Sequence, residues 1–195
     1  MIISVDALTQ RFQNYTDVKG KIRREVQRGM LVQVARGLYE TDPRADGKYL
    51  AGDIYGPSYL SFDYALSVYA LIPEMVYNTY TSATYCKEKI KRYENAFGIF
   101  LYRDVPATVY PLGIELKAEN GYSYQIATPE KALCDKLYTL SPVYSVKALK
   151  ELLFEDLRID ADAFHALRRN DILQLAPLYR ATNLKLLAKL LDGGK

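Results

Sequence analysis

The 195-residue sequence predicts an α+β chain in which a small N-terminal unit of helices and a hairpin precedes a larger mixed domain that ends in helices. Apolar residues recur at helical spacing near both ends of the chain. Between Val76 and Ile126 the pattern turns to short runs rich in Tyr, Ile, Val and Phe, which read as strands. The polar stretch Asp42-Pro43-Arg44-Ala45-Asp46-Gly47 separates the two regimes as a linker, and places a first domain at 1–45 and a second at 46–195.

Ser4 or Asp6 caps a short helix running through about Gln13, with Val5, Leu8 and Phe12 at helical spacing. Asn14-Tyr15-Thr16 reads as a turn. Thr16 offers a side-chain oxygen to a second helix, Asp17 suits its positive end, and Val18, Ile22 and Val26 recur along it until Gly29 ends it. The period then changes. Leu31-Val32-Gln33-Val34-Ala35 and Leu38-Tyr39-Glu40 are strand-like runs joined by Arg36-Gly37, a two-residue hairpin signal.

After an irregular stretch holding Gly52, Gly56 and Pro57, Ser61 is placed to cap a helix carrying Ala65, Leu66, Val68, Tyr69 and Leu71, which Pro73 stops. Strands are expected at 76–85, 97–103, 108–117 and 122–126, with Asn120-Gly121 joining the last two as a tight hairpin. Thr128-Pro129-Glu130 opens a further helix, because Pro at the first helical position gives up no needed donor and Thr caps the turn. Beyond Ser141-Pro142 the chain reads as helical to its end. Val146, Leu149, Leu153 and Leu157 share one spacing, Leu184, Leu187, Ala188 and Leu191 another, and Gly193-Gly194-Lys195 is expected to fray.

Composition excludes several classes. With 49% hydrophobic and 25% charged residues the chain is neither wholly disordered nor collagen-like. No apolar run approaches the roughly 18 residues of a membrane span, and Met1-Ile2-Ile3-Ser4-Val5-Asp6 lacks the pattern of a secretory signal, so a cytoplasmic protein without a membrane partner is expected. Cys86 and Cys134 are read as reduced structural thiols. With His165 the one histidine, no Cys and His zinc set is available and no cofactor is expected. His165 itself, between Phe164 and Leu167, is read as a packing or capping residue. No phosphate-binding glycine loop, nucleophile elbow or Cys-His pair occurs, which points to a protein that is not an enzyme.

Charge is informative through its distribution. Between Arg11 and Arg36 lie seven basic and two acidic residues, a local charge of +5, which leaves −2 for the remainder of a chain whose total is +3. On a helical wheel with Val18, Ile22 and Val26 inward, the opposite face presents Gly20, Arg24 and Gln27, flanked by Lys21, Arg23 and Arg28. Such a face fits a major groove, where cations neutralise phosphates while Arg and Gln reach guanine and adenine edges. Arg36 at the hairpin tip is placed like a wing beside the duplex. Helix, basic helix and basic-tipped hairpin together predict a winged helix-turn-helix, with Arg24 and Gln27 on bases and Lys19, Lys21, Arg23, Arg28 and Arg36 on phosphates.

The same residues carry a family resemblance. Lys21-Ile22-Arg23-Arg24-Glu25-Val26-Gln27-Arg28-Gly29, then Leu31-Val32, then Arg36-Gly37-Leu38-Tyr39, resembles the winged-helix start of the AbiEi-type antitoxins of type IV toxin–antitoxin systems. Tyr59-Leu60-Ser61 with Ala65-Leu66 and Ile72-Pro73-Glu74 is similar to the first helix of that family's second domain, and Ala127-Thr128-Pro129-Glu130-Lys131-Ala132-Leu133-Cys134-Asp135 to a helix start late in it. The resemblance spans about Thr16 to Leu140. It implies a transcriptional autorepressor that binds double-stranded operator DNA, in inverted repeats, upstream of its own gene. It also implies an antitoxin that counteracts a nucleotidyltransferase-like toxin without a stable complex. The segment ahead of Thr16 departs from the family pattern: it is short, so a DNA-binding core of two helices in place of three is expected.

Two rival constellations stand beside this reading. Asp104 with Glu115 and Lys117, the last two on one face of a strand, would suit a Mg²⁺-dependent restriction-like nuclease, or else form the polar face of a half-buried strand. The chain also has 18 Tyr, eleven of them between Tyr49 and Tyr110. Tyr77, Tyr80, Tyr85 and Tyr93, with Lys87, Lys89, Lys91 and Arg92 among them, would make an RNA- or protein-binding module of segment 77–93 if exposed, and core if buried.

Overall fold

The computed structural model describes residues 1–193; Gly194 and Lys195, the end of the segment expected to fray, lie outside the described residues. The described residues are mixed α and β, with two sheets. It opens with β1 (Ile2–Ser4), α1 (Val5–Arg11), α2 (Val18–Gln27), β2 (Val32–Ala35) and β3 (Leu38–Glu40). The Ser4 hydroxyl accepts from the Ala7 amide at 3.2 Å and caps α1. Asp17, not Thr16, caps α2: its carboxylate accepts from the Gly20 amide at 2.8 Å and brings a negative charge to the positive end of the helix.

Leu8, Ile22 and Leu31 form a small core that ties α1, α2 and the hairpin together, with Phe12, Val18 and Val26 packed on it. Gly37, at φ +76°, turns β2 into β3. β1, which sequence periodicity does not reveal, adds to the far side of β3 with Ile3 opposite Tyr39, completing an antiparallel sheet in the order β1-β3-β2. This unit is docked on the remainder of the chain. Val34 is buried in the main core, the Asn95 amide donates to the Val34 carbonyl at 2.8 Å, and the Tyr122 hydroxyl donates to the buried Glu40 carboxylate at 3.0 Å. The stretch expected to be a linker is docked as well, since Gly47 is buried and its amide donates to the Tyr80 hydroxyl at 3.1 Å.

The larger part holds a 3-10 turn at Gly47–Tyr49, α3 (Ala51–Ile54), β4 (Tyr59–Leu60), α4 (Phe62–Val68), β5 (Thr79–Thr84), β6 (Lys91–Asn95), β7 (Gly98–Asp104), β8 (Ile114–Glu119) and β9 (Tyr122–Ala127). Helices follow: α5 (Pro129–Tyr138), α6 (Val146–Glu151) continued by a π-helical turn at Leu152–Asp156, α7 (Ala161–Ala166), α8 (Arg169–Leu175), a 3-10 turn at Ala176–Tyr179, and α9 (Thr182–Asp192). The six strands order as β6-β7-β5-β4-β9-β8, with β4 parallel to β9, β5 parallel to β7 and the other neighbours antiparallel. Asn120 and Gly121, both at positive φ, make the expected tight turn between β8 and β9. The strand expected from Thr108 begins only at Ile114, because Val105 and Val109 anchor a run of turns into the core.

α5 is buried on every side along most of its length and packs against α4, α8 and α9. It carries a charged pair with no exposure, Lys131 and Asp135, one turn apart at 2.7 Å. The Asp135 carboxylate also accepts from the hydroxyls of Tyr59 at 2.9 Å, Ser61 at 2.7 Å and Tyr179 at 2.5 Å, and the Lys131 ammonium donates to the Tyr179 oxygen at 2.8 Å. Ser61 therefore departs from the expected cap: its hydroxyl bonds Asp135 and none of the amides of α4. Burial pushes the Lys131 ammonium below the usual lysine value against the pull of Asp135, and raises the Tyr179 and Tyr59 phenols. One carboxylate thus fastens β4, α5 and the turn before α9.

A second ion pair joins the C-terminal helices to α5. Arg168 donates to the buried Glu130 through Nε at 3.1 Å, Nη2 at 3.0 Å and its backbone amide at 2.9 Å. Burial raises the Glu130 carboxyl, but these hydrogen bonds outweigh it and the net shift is downward. A carboxyl lowered on folding adds stability that is present above its unfolded value and is lost as pH falls through the folded one. Denaturant unfolding at stepped pH is therefore expected to show the native protein losing stability below pH 4.5, and Glu130→Gln losing less over that window. Parallel curves for the two proteins would contradict this assignment.

Candidate nucleic-acid interface

α2 is held by its inward residues. Ile22 is buried, Val18 and Val26 are partly buried, and the opposite arc carries Lys19, Arg23, Arg24, Gln27 and Arg28, all exposed. Among the described residues, the side chains of Lys19, Arg23 and Arg24 form no ion pair or hydrogen bond with the protein, so their charge is directed to solvent. Arg36 is exposed in the turn between β2 and β3. The amphipathic spacing of α2 and the turn at Arg36-Gly37 put these groups where the sequence predicts.

Lys21 is placed differently from these five. It stands on the flank of α2, its ammonium 2.6 Å from the Glu25 carboxylate, with the Phe12 and Tyr15 rings at 5.5 and 5.1 Å, and its side chain is only 17% exposed. The hydrogen bond from Lys21 holds the Glu25 carboxyl below its ordinary value. Lys21 is thus neutralised and braces the α1–α2 turn. Glu25 also reaches Arg28 at 3.5 Å, but that guanidinium remains largely exposed. The one-turn spacing from Lys21 to Glu25 is the signal in the sequence that predicts such a pair.

The structure does not assemble the rival constellations. Asp104 lies on β7 and Glu115 and Lys117 on β8, four strand spacings away in the sheet order, or about 19 Å. Asp104 is spent on its own loop, accepting from the Thr84 hydroxyl at 2.6 Å and from the Lys87 and Glu88 amides at 2.7 Å each. Glu115 and Lys117 pair with each other at 2.8 Å. Among the described residues no three His, Cys, Asp or Glu side chains are grouped to hold a metal ion.

Nor does segment 77–93 form an aromatic surface. Tyr80 is buried and stacks on Phe100, Tyr85 lies 4.3 Å from Tyr110, and Tyr93 packs against Tyr55 and Tyr102. Tyr77 alone of the four is exposed. Tyr80 lies on β5, which is buried along nearly its whole length, alternation along β6 turns Tyr93 inward, and the Lys87 ammonium lies over the Tyr55 ring and donates to the Gly56 carbonyl at 3.1 Å. Cys86 is exposed while Cys134 is buried, and His165, in the last turn of α7, is exposed beside the edge of Phe164. The Lys131–Asp135 cluster, absent from the sequence reading, announces itself only as two opposite charges one turn apart within an apolar helix.

Neither family models nor curated proteins give a match to this chain. Among solved structures, the crystal structure of the RV2827C protein from Mycobacterium tuberculosis is similar over 97% of this chain and 76% of that one, at 14% sequence identity and a TM-score of 0.49.

Proposed function

We propose that this protein is a non-enzymatic, sequence-specific DNA-binding repressor whose residues 1–45 act as a winged helix-turn-helix. The observation that carries the reading is the outer arc of α2, where Lys19, Arg23, Arg24, Gln27 and Arg28 stand exposed on one rigid helix, together with Arg36 at the tip of the neighbouring hairpin. In this reading α2 enters the major groove, Arg24 and Gln27 reach base edges, and Lys19, Arg23, Arg28 and Arg36 meet phosphates. Lys21 acts indirectly by fixing the angle between α1 and α2. The resemblance to AbiEi-type antitoxins extends the proposal to repression of the protein's own operon and to neutralisation of a nucleotidyltransferase-like toxin, by residues 46–195, without a stable complex.

Fluorescence anisotropy on duplex DNA from upstream of the gene, against scrambled duplex and across salt concentrations, tests it. The upstream duplex is expected to bind more tightly, without cleavage when Mg²⁺ is added. With four phosphate-contacting cations, the slope of log affinity on log salt is expected near −3 to −4 per protomer. Equal affinity for both duplexes, or cleavage, would overturn the reading.

A further inference from the structure

β8 is an edge strand, and the chemistry of that edge is self-complementary. The two-residue turn at Asn120-Gly121 makes Glu119 and Tyr122 the hydrogen-bonded pair that closes the hairpin. Glu119, Lys117 and Glu115 therefore direct their backbone groups to β9, and the Gly113 carbonyl, accepting from the Thr128 amide at 2.8 Å, continues the alternation. Ile114, Leu116 and Ala118 aim their N–H and C=O groups away from the sheet. Leu116 is 71% exposed, and β8 contains neither proline nor bulge. The opposite edge is different: Asn95 ties β6 to the β2–β3 hairpin.

We propose that the β8 strands of two copies of this chain pair antiparallel about a two-fold axis at Leu116, making one continuous sheet across a homodimer. Charge selects the register. With the axis at Leu116, Leu116 faces its own copy, Ile114 faces Ala118, and Glu115 of each copy faces Lys117 of the other. With the axis one residue on, Lys117 would face Lys117 and Glu115 would face Glu119, which is repulsive. The favoured register also matches the free backbone groups. Leu116 exchanges both bonds with its copy, Ile114 and Ala118 exchange the others, about six in all, and the charged pairs fall at the closer, non-hydrogen-bonded positions. The Glu115 and Lys117 side chains, already 2.8 Å apart within each strand, complete an alternating square of charge across the axis. A six-residue edge buries less than a standard interface, so association is concentration-dependent. This inference stands apart from the DNA reading, since none of its residues lies on α2.

Sedimentation velocity from micromolar to sub-millimolar protein tests it. The native chain is expected to shift from monomer to dimer, and Lys117→Glu or Glu115→Lys alone to weaken self-association about tenfold or more through two repulsive pairs. Mixing the two variants is expected to restore a dimer, now a heterodimer, because one strand carries two acids and the other two bases. Ala118→Pro, which removes only an outward N–H, is expected to weaken the dimer while leaving the unfolding midpoint of the monomer in place. A native chain that stays monomeric throughout, a dimer indifferent to the charge reversals, or a mixture that fails to reassociate would each overturn the proposal.

Discussion

Asp135→Ala is expected to destabilise the protein by about 3–5 kcal/mol, the range for removing one partner of a buried ion pair, and to lower Tm by roughly 6–20 °C. The substitution strands the Lys131 ammonium and leaves the hydroxyls of Tyr59, Ser61 and Tyr179 without their acceptor, all within a region closed to water. Lys131→Met is expected to cost less, about 1–3 kcal/mol, because the carboxylate left behind keeps three hydroxyl donors. The order of the two effects is the sharper expectation, since a simple pairwise salt bridge would lose equally from either side. Denaturant unfolding followed by circular dichroism reads both. Equal losses would mean that the hydroxyls contribute nothing to holding the carboxylate.

Arg24→Ala is expected to weaken binding to the upstream duplex and to reduce its preference over scrambled DNA by about 1–3 kcal/mol, the discrimination carried by one bidentate base contact. Lys19→Ala is expected to weaken binding to every duplex alike and to lower the salt slope by about one. Lys21→Ala provides the contrast that the structure supplies: its charge is already matched by Glu25 at 2.6 Å, so the salt slope is expected to change little. Anisotropy titrations of the three variants across salt separate these outcomes. If Arg24→Ala left affinity and preference intact, α2 would not be the reading helix.

Much of this architecture is legible in local sequence. The apolar spacing of α2, the turn residues Arg36-Gly37 and Asn120-Gly121, and the Thr128-Pro129 start of α5 are short-range signals, and each lies where local chemistry puts it. What escapes is set by partners distant in sequence. β1 is a strand because it lies beside β3, and the two residues of β4 are a strand because β5 and β9 flank them. Ser61 looks like a cap until α5 brings Asp135 within 2.7 Å of its hydroxyl.

The tyrosines make the same point through side-chain chemistry. Composition marks them as unusual, but burial decides their role. Tyr80 meets the Gly47 amide, Tyr102 donates to the Ala51 carbonyl at 2.7 Å, and Tyr59 meets Asp135, so each ring fills the core while its hydroxyl satisfies a polar group that burial would otherwise strand.

By itself the sequence determined the two N-terminal helices, the turns at Arg36-Gly37 and Asn120-Gly121, the start of α5, the basic character of the second helix and which of its faces turns inward, because periodicity, capping and turn chemistry act over a few residues. The tertiary structure alone decided that Asp104 stands far from Glu115 and Lys117. It alone buried Lys131 with Asp135 and left β8 at an open edge. Those outcomes depend on which strands neighbour one another and which charges lose their water, quantities that exist only once distant parts of the chain have packed.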